Sequence, residues 1–172
     1  YVLDSRSLST GSGHLVILAA ELASAGHDAA YIVNALDEKK SRLDVSFVLQ
    51  TLDYLHKGGR VSGMIKTVAG IFKIHPLIQM DDGQLVPGKN YKGKMNILIK
   101  QYVDDLKELY PNYDKSRCFI THSSADAELV DAAKEQVKAL FNFDEIIETV
   151  AGSIITSHCG KGTLGVLFIY NK

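Results

Sequence analysis

Apolar positions along the chain change period several times, and each change marks an element. Leu15, Leu18, Ala19, Leu22 and Ala23 fall at helical spacing, with Val16 and Ile17 widening the stripe, so a heavily buried helix is expected over about 14–25, stopped by Gly26. Val2-Leu3 reads as the end of a strand before it. Asp28 caps a second helix over about 29–40, with Ile32, Val33 and Leu36 inward. Residues 43–50 alternate, Leu43, Val45, Phe47 and Leu49 against Asp44, Ser46 and Gln50, which predicts a half-buried strand. Thr51 caps a short helix with Asp53 in its first turn, His56 and Lys57 in its last, and Gly58-Gly59 at its end.

Met64, Ile65, Val68, Ile71 and Phe72 form a further helical stripe, suited to a core or to the wall of a lipid pocket. Asp81-Asp82-Gly83 between two apolar runs signals a hairpin. A helix over about 94–110 buries Met95, Leu98, Ile99, Tyr102, Val103 and Leu106. Residues 117–121 read as a strand. Ser123 with Asp126 resembles a capping box for a helix presenting Leu129, Val130, Ala133, Val137 and Leu140. Two β-branched runs, 146–155 and 163–170, read as closing strands joined by Ser157-His158-Cys159-Gly160-Lys161-Gly162. From residue 43 the order predicts a mixed sheet with helices on one face, an α/β sandwich. A boundary is placed near the charged stretch 37–42.

Composition narrows the function. With 19 Lys and Arg against 20 Asp and Glu, the chain lacks the basic excess of a general nucleic-acid binder. Hydrophobic residues make up 46%, enough for a substantial core. No apolar run nears the roughly 20 residues of a membrane helix. Two cysteines make no disulfide framework, and a reducing, cytoplasmic setting is expected. The opening at Tyr1 suggests that sequence is missing upstream.

Candidate chemistry lies in two glycine-bearing loops. Gly58-Gly59-Arg60 holds more glycine than a helix end needs, and Arg60 brings a planar fork suited to carboxylate or phosphate. Gly160 and Gly162 flank a turn beside His158 and Cys159, and let other atoms approach closely. Gly11-x-Gly13 lacks the third glycine of a dinucleotide fingerprint. Lys89 to Lys94 is locally basic, and is read as solvated surface or a contact for an acidic partner or phosphate. The histidines at 14, 27, 56, 75 and 122 show no metal-ligand spacing. Cys159 beside His158 raises a thiol-nucleophile alternative.

Thr51-Leu52-Asp53-Tyr54-Leu55-His56-Lys57-Gly58-Gly59-Arg60-Val61 closely resembles a signature of the DegV family of fatty-acid-binding proteins. Asp4 to Ser9 with Gly13 resembles that family's mid-chain segment. Ile74-His75-Pro76-Leu77 is similar to one of its strands, with His75 in place of Lys, and residues 157–162 are similar to its C-terminal loop, with Lys161 where Pro is common. The resemblance spans the chain. It implies two α/β domains with a long acyl chain between them. Residues 1–41 would be the tail of a three-layer first domain with a parallel sheet. Residues 42–172 would be the second, a two-layer sandwich with a mixed sheet. Hydroxyl side chains of the first domain, absent from this sequence, would hold the carboxylate most directly.

The same resemblance implies that Arg60 and His158 belong to the polar network around the lipid head group, with Gly58, Gly59, Gly160 and Gly162 in the loops beside it. Met64, Ile65, Val68, Ile71 and Phe72 would wall the acyl tail. It implies a carrier rather than an enzyme, with no cofactor beyond the bound long-chain fatty acid. A separate fatty acid kinase would make the acyl phosphate, and contact with a membrane would be transient. Two alternatives stand beside it: a regulatory or scaffold protein with incidental lipid binding, and a Cys/His acyl-transfer enzyme.

Overall fold

The structure, a computed structural model, describes residues 1–60 and 74–171. The helical stripe expected between residues 64 and 72 lies outside them. In chain order the elements are α1 (Ser9–Ser24), α2 (Ala29–Lys40), β1 (Leu43–Val48), α3 (Asp53–Lys57), β2 (Ile74–Asp81), β3 (Gln84–Lys92), α4 (Met95–Leu109), β4 (Arg117–His122), α5 (Ala127–Leu140), β5 (Glu145–Val150), α6 (Ser153–Cys159) and β6 (Leu164–Ile169).

The strands form one mixed sheet in the order β3-β2-β1-β6-β4-β5. Among the described strands only β4 and β5 run parallel; β6 is antiparallel to both β1 and β4. The β2–β3 hairpin turns at Asp82 and Gly83, both at positive φ (45° and 81°), the turn that matches strand twist. The apolar stripes of α4 and α5 cover one face with Leu98, Ile99, Tyr102, Val130 and Val137. On the other face Leu15 of α1 and Leu36 of α2 meet Leu43, Val45, Phe119 and Leu167.

Several expectations change. Strand β1 is buried on both faces, not one. Its polar members point toward α4, where they find partners: the Ser46 hydroxyl donates to Asp44 Oδ2 at 2.8 Å, and the Tyr102 hydroxyl donates to the Ser46 carbonyl at 2.9 Å. Residues 2–3 form no strand. Helix α1 starts earlier than its stripe suggests and buries only Gly11, His14 and Leu15, while Val16 is 68% exposed. Gly11 sets that contact, because a Cβ there would lie 2.6 Å from Val45 Cγ2. The cap of α5 is Asp126 without a side-chain bond, and Ser123 is engaged elsewhere.

The largest correction concerns the run 146–155. Strand β5 ends at Val150, and Gly152 starts the seven-residue helix α6, so His158 and Cys159 sit in a last helical turn rather than between two strands. β-Branched content pointed to strand. The segment follows α6 because Ile155 and Cys159, four positions apart, share a face against Phe47, Leu49 and Leu55.

Candidate functional site

Sheet register brings the two glycine-bearing loops together. Val48, the last residue of β1, pairs with Leu164, the first of β6. The chain leaving β1 and the chain entering β6 therefore meet at one end of the sheet, and α3 packs against α6 there.

Helix α3 ends in a Schellman motif. The Gly59 N–H donates to the His56 carbonyl at 3.0 Å and the Arg60 N–H to the Leu55 carbonyl at 2.9 Å, with Gly59 at φ 70°. That motif requires one glycine. The second, Gly58, has a helical φ of −78° that any residue adopts. Its missing side chain makes room instead: a Cβ on Gly58 would lie 2.5 Å from His158 Cδ2 and 3.1 Å from Nε2. Arg60 folds back so that Nη1 donates to the Gly58 carbonyl at 2.8 Å. Guanidinium and imidazole thus both touch Gly58, one at its carbonyl and the other at its Cα.

The contact is reciprocal. Gly160, at φ 79° and ψ 166°, lies under the ring of Tyr54, which a Cβ would strike. Gly162, at φ 81°, lies against Gln50. Each loop lends a ring and a glycine to the other. Sequence reasoning missed Tyr54 as a site residue; its place one turn before Gly58 was the available signal.

His158 is half-buried, and its Nδ1 lies 2.8 Å from the Ile154 carbonyl. A carbonyl only accepts, so Nδ1 carries the proton and Nε2 of the neutral ring is an acceptor, with no hydrogen-bond partner among the described residues. The neighbouring Cys159 points the other way, into the core, 6% exposed. Burial pushes its thiol up to about 11, which keeps it neutral and a poor nucleophile.

Behind the loops lies an apolar crevice lined by Leu8, Val45, Phe47, Ile155, Cys159 and Leu167, of about 30 Å³. That is far smaller than a ligand pocket of roughly 300 Å³ or more, so an acyl chain would have to widen it. A larger cavity of about 440 Å³ lies near the other end of β1, beside Leu43, Asp44, Met80, Tyr110 and Tyr170. Asp44 there is 5% exposed, and burial raises its carboxyl to about 6, opposed by the Ser46 hydrogen bond. Among the described residues no His, Cys, Asp and Glu cluster is arranged to hold a metal ion. None of the described helices is long and apolar enough to cross a membrane.

The protein is thus a mixed-sheet α/β domain in which a Gly-Gly-Arg loop is interlocked with a His-bearing Gly-x-Gly loop. The family model described as "Uncharacterised protein, DegV family" matches residues 1–171, and the chain belongs to the DegV family. It is 30% identical over 167 residues to a fatty acid-binding protein of Thermotoga maritima, covering 96% of this chain and 57% of that one. It also resembles the crystal structure of a DegV lipid binding protein from the same organism, with TM-score 0.85 and 26% identity, over 100% of this chain and 60% of the other. A third likeness is to a T. maritima hypothetical protein whose structure is described as revealing a fatty acid binding function, with TM-score 0.83 and 25% identity, over 98% and 58%. The chain spans a little under three fifths of the length of curated relatives such as the DegV domain-containing protein of Clostridium perfringens (57%).

Proposed function

We propose that this chain belongs to a fatty-acid carrier in which Arg60 and His158 face the lipid head group. The observation that carries the reading is their meeting on Gly58, one through its carbonyl and one through its open Cα face. A carboxylate leaving water needs charge or hydrogen bonds in return. Arg60 supplies a permanent cation. His158 supplies Nε2, which accepts from a protonated acid or, once protonated, donates to a carboxylate.

The tail supplies most of the affinity. At about 0.8 kcal/mol per buried CH₂, a chain of about 16 carbons offers on the order of 10 kcal/mol before ordering costs. The crevice beside Phe47, Ile155 and Cys159 is where it would enter the domain. In the same proposal residues 1–41 close a first domain and 42–172 form the second. Residues of the first domain complete the head-group site, and the setting is cytoplasmic. A separate kinase with ATP converts the presented acid to an acyl phosphate, and the carrier does no chemistry itself.

Mass spectrometry of an organic extract of the purified full protein tests the binding. A stoichiometric long-chain fatty acid supports the reading, and a lipid-free protein that also fails to take up added palmitate overturns it. Acyl phosphate that forms only with lipid, ATP, carrier and kinase together supports the partnership. A lipid-loaded protein that no such kinase uses leaves binding in place and favours a regulatory role.

A further inference from the structure

We infer that Ser123, which does not touch His158, fixes the orientation and tautomer of the His158 imidazole. Ser123 follows β4 and is 1% exposed. Its backbone holds the loop that enters β6: its N–H donates to the Thr163 carbonyl at 2.9 Å, and its carbonyl accepts from the Gly162 N–H at 2.7 Å. Its hydroxyl holds α6: it donates to Thr156 Oγ1 at 3.1 Å, and the Thr156 hydroxyl donates onward to the Ala151 carbonyl at 3.2 Å. Ser123 therefore grips the middle of α6 and the loop after it, and reaches the segment before α6 through Thr156. Thr163 adds a tie from its hydroxyl to the Cys159 carbonyl at 2.9 Å.

The grip matters because α6 has only seven residues. A helix so short has no stability of its own and takes its shape from tertiary ties. The Nδ1 bond of His158 reaches back to the Ile154 carbonyl, four residues earlier, and exists only while that last turn is intact. Loosening the Ser123–Thr156–Ala151 chain lets the turn fray. The ring then loses the acceptor that keeps the proton on Nδ1, and Nε2 is no longer held as the acceptor. Ser124, next in the chain, holds φ 45°, an uncommon conformation for a residue other than glycine. It redirects the backbone immediately after the clamp.

The inference rests on the head-group reading for its consequence, lipid affinity, but not for its geometry. Ring ¹⁵N shifts of His158 are measured in the lipid-free full protein for wild type, Ser123→Ala, Thr156→Val and Thr156→Ser. Thr156→Val keeps the shape and removes the hydroxyl, and Thr156→Ser keeps the hydroxyl. Wild type and Thr156→Ser are expected in the Nδ1–H form, with Ser123→Ala and Thr156→Val shifted toward the Nε2–H form. A ring unchanged in Thr156→Val, with native amide shifts in β1 and β6, overturns the inference even where Ser123→Ala fails to fold. Palmitate affinity, measured on the same proteins, is expected to fall in step with the ring shift. A shifted ring with unchanged affinity supports the positioning and overturns the head-group reading instead.

Discussion

The His158 imidazole lies against the Cα of Gly58, so closely that a methyl group there would lie 2.5 Å from ring carbon Cδ2. Gly58 has a helical backbone, where Ala normally stabilises a protein by about 0.4–1 kcal/mol through the unfolded chain. Here the collision decides the sign. Gly58→Ala should cost about 1–3 kcal/mol as overpacking, seen in urea melts, and should shift the His158 ring resonances. A stabilised variant with an unmoved ring would mean the contact is looser than described.

Gly160→Ala should be worse. Its φ of 79° and ψ of 166° fall in a region kept almost wholly for glycine, which alone costs about 1–3 kcal/mol, and the new methyl would strike Tyr54. Tyr54→Ala in the same chain removes the collision but not the backbone strain. The double variant should therefore recover part of the loss, a coupling that a double-mutant cycle measures.

Two buried groups work against each other as pH changes. His14 is lowered to about 4, mainly by burial and then by Arg117. Between about pH 6.5 and 4 the unfolded chain takes up a proton that the folded chain refuses, so this group lowers stability as pH falls. Asp44 is raised to about 6 by burial. Between 3.8 and about 6 the folded chain keeps a proton that the unfolded chain has lost, so its contribution is full below 3.8 and disappears as pH rises through 6. Across their shared window the two offset one another. Asp44→Asn removes one side: stability at pH 7 should rise by up to about 3 kcal/mol, and little should change near pH 4. Urea melts should then show stability rising more steeply between about pH 4 and 6.5 than it does in the parent.

Cys159 separates carrier from thiol enzyme. Because Cys159 lines the apolar crevice, a bulky adduct should block the tail, whereas Cys159→Ser should bind palmitate nearly as the parent does. Labelling by N-ethylmaleimide should be slow near neutral pH, given the buried, neutral thiol, and slower still with lipid bound. Loss of binding in Cys159→Ser would argue that the thiol itself contributes.

What the sequence made legible were features with local causes. The Asp82-Gly83 turn, the Asp28 cap, whose Oδ1 accepts from the Tyr31 N–H at 2.8 Å, and the stripes of α4 and α5 all follow from residues close in the chain. The surplus glycine before Arg60 was visible too, though not its reason, which is a histidine 100 positions away. What stayed hidden depended on distant partners. The burial of Ser46 is met by Tyr102 from α4, and that of Asp44 by Ser46 in turn. Helix α6 was masked by Ile154 and Ile155, whose β-branched side chains favour strand until packing overrides propensity. Ser123 resembled a helix cap because its partner, Thr156, lies 33 positions on.

The central claim is that Arg60 and His158 together face the acid group of a bound lipid. Calorimetric titration of the delipidated full protein with palmitate, for wild type, Arg60→Ala and His158→Ala, tests it most directly. Loss of a charge-assisted hydrogen bond predicts about tenfold or greater weakening in each variant. Wild-type affinity in both variants, with native folds, would contradict the claim.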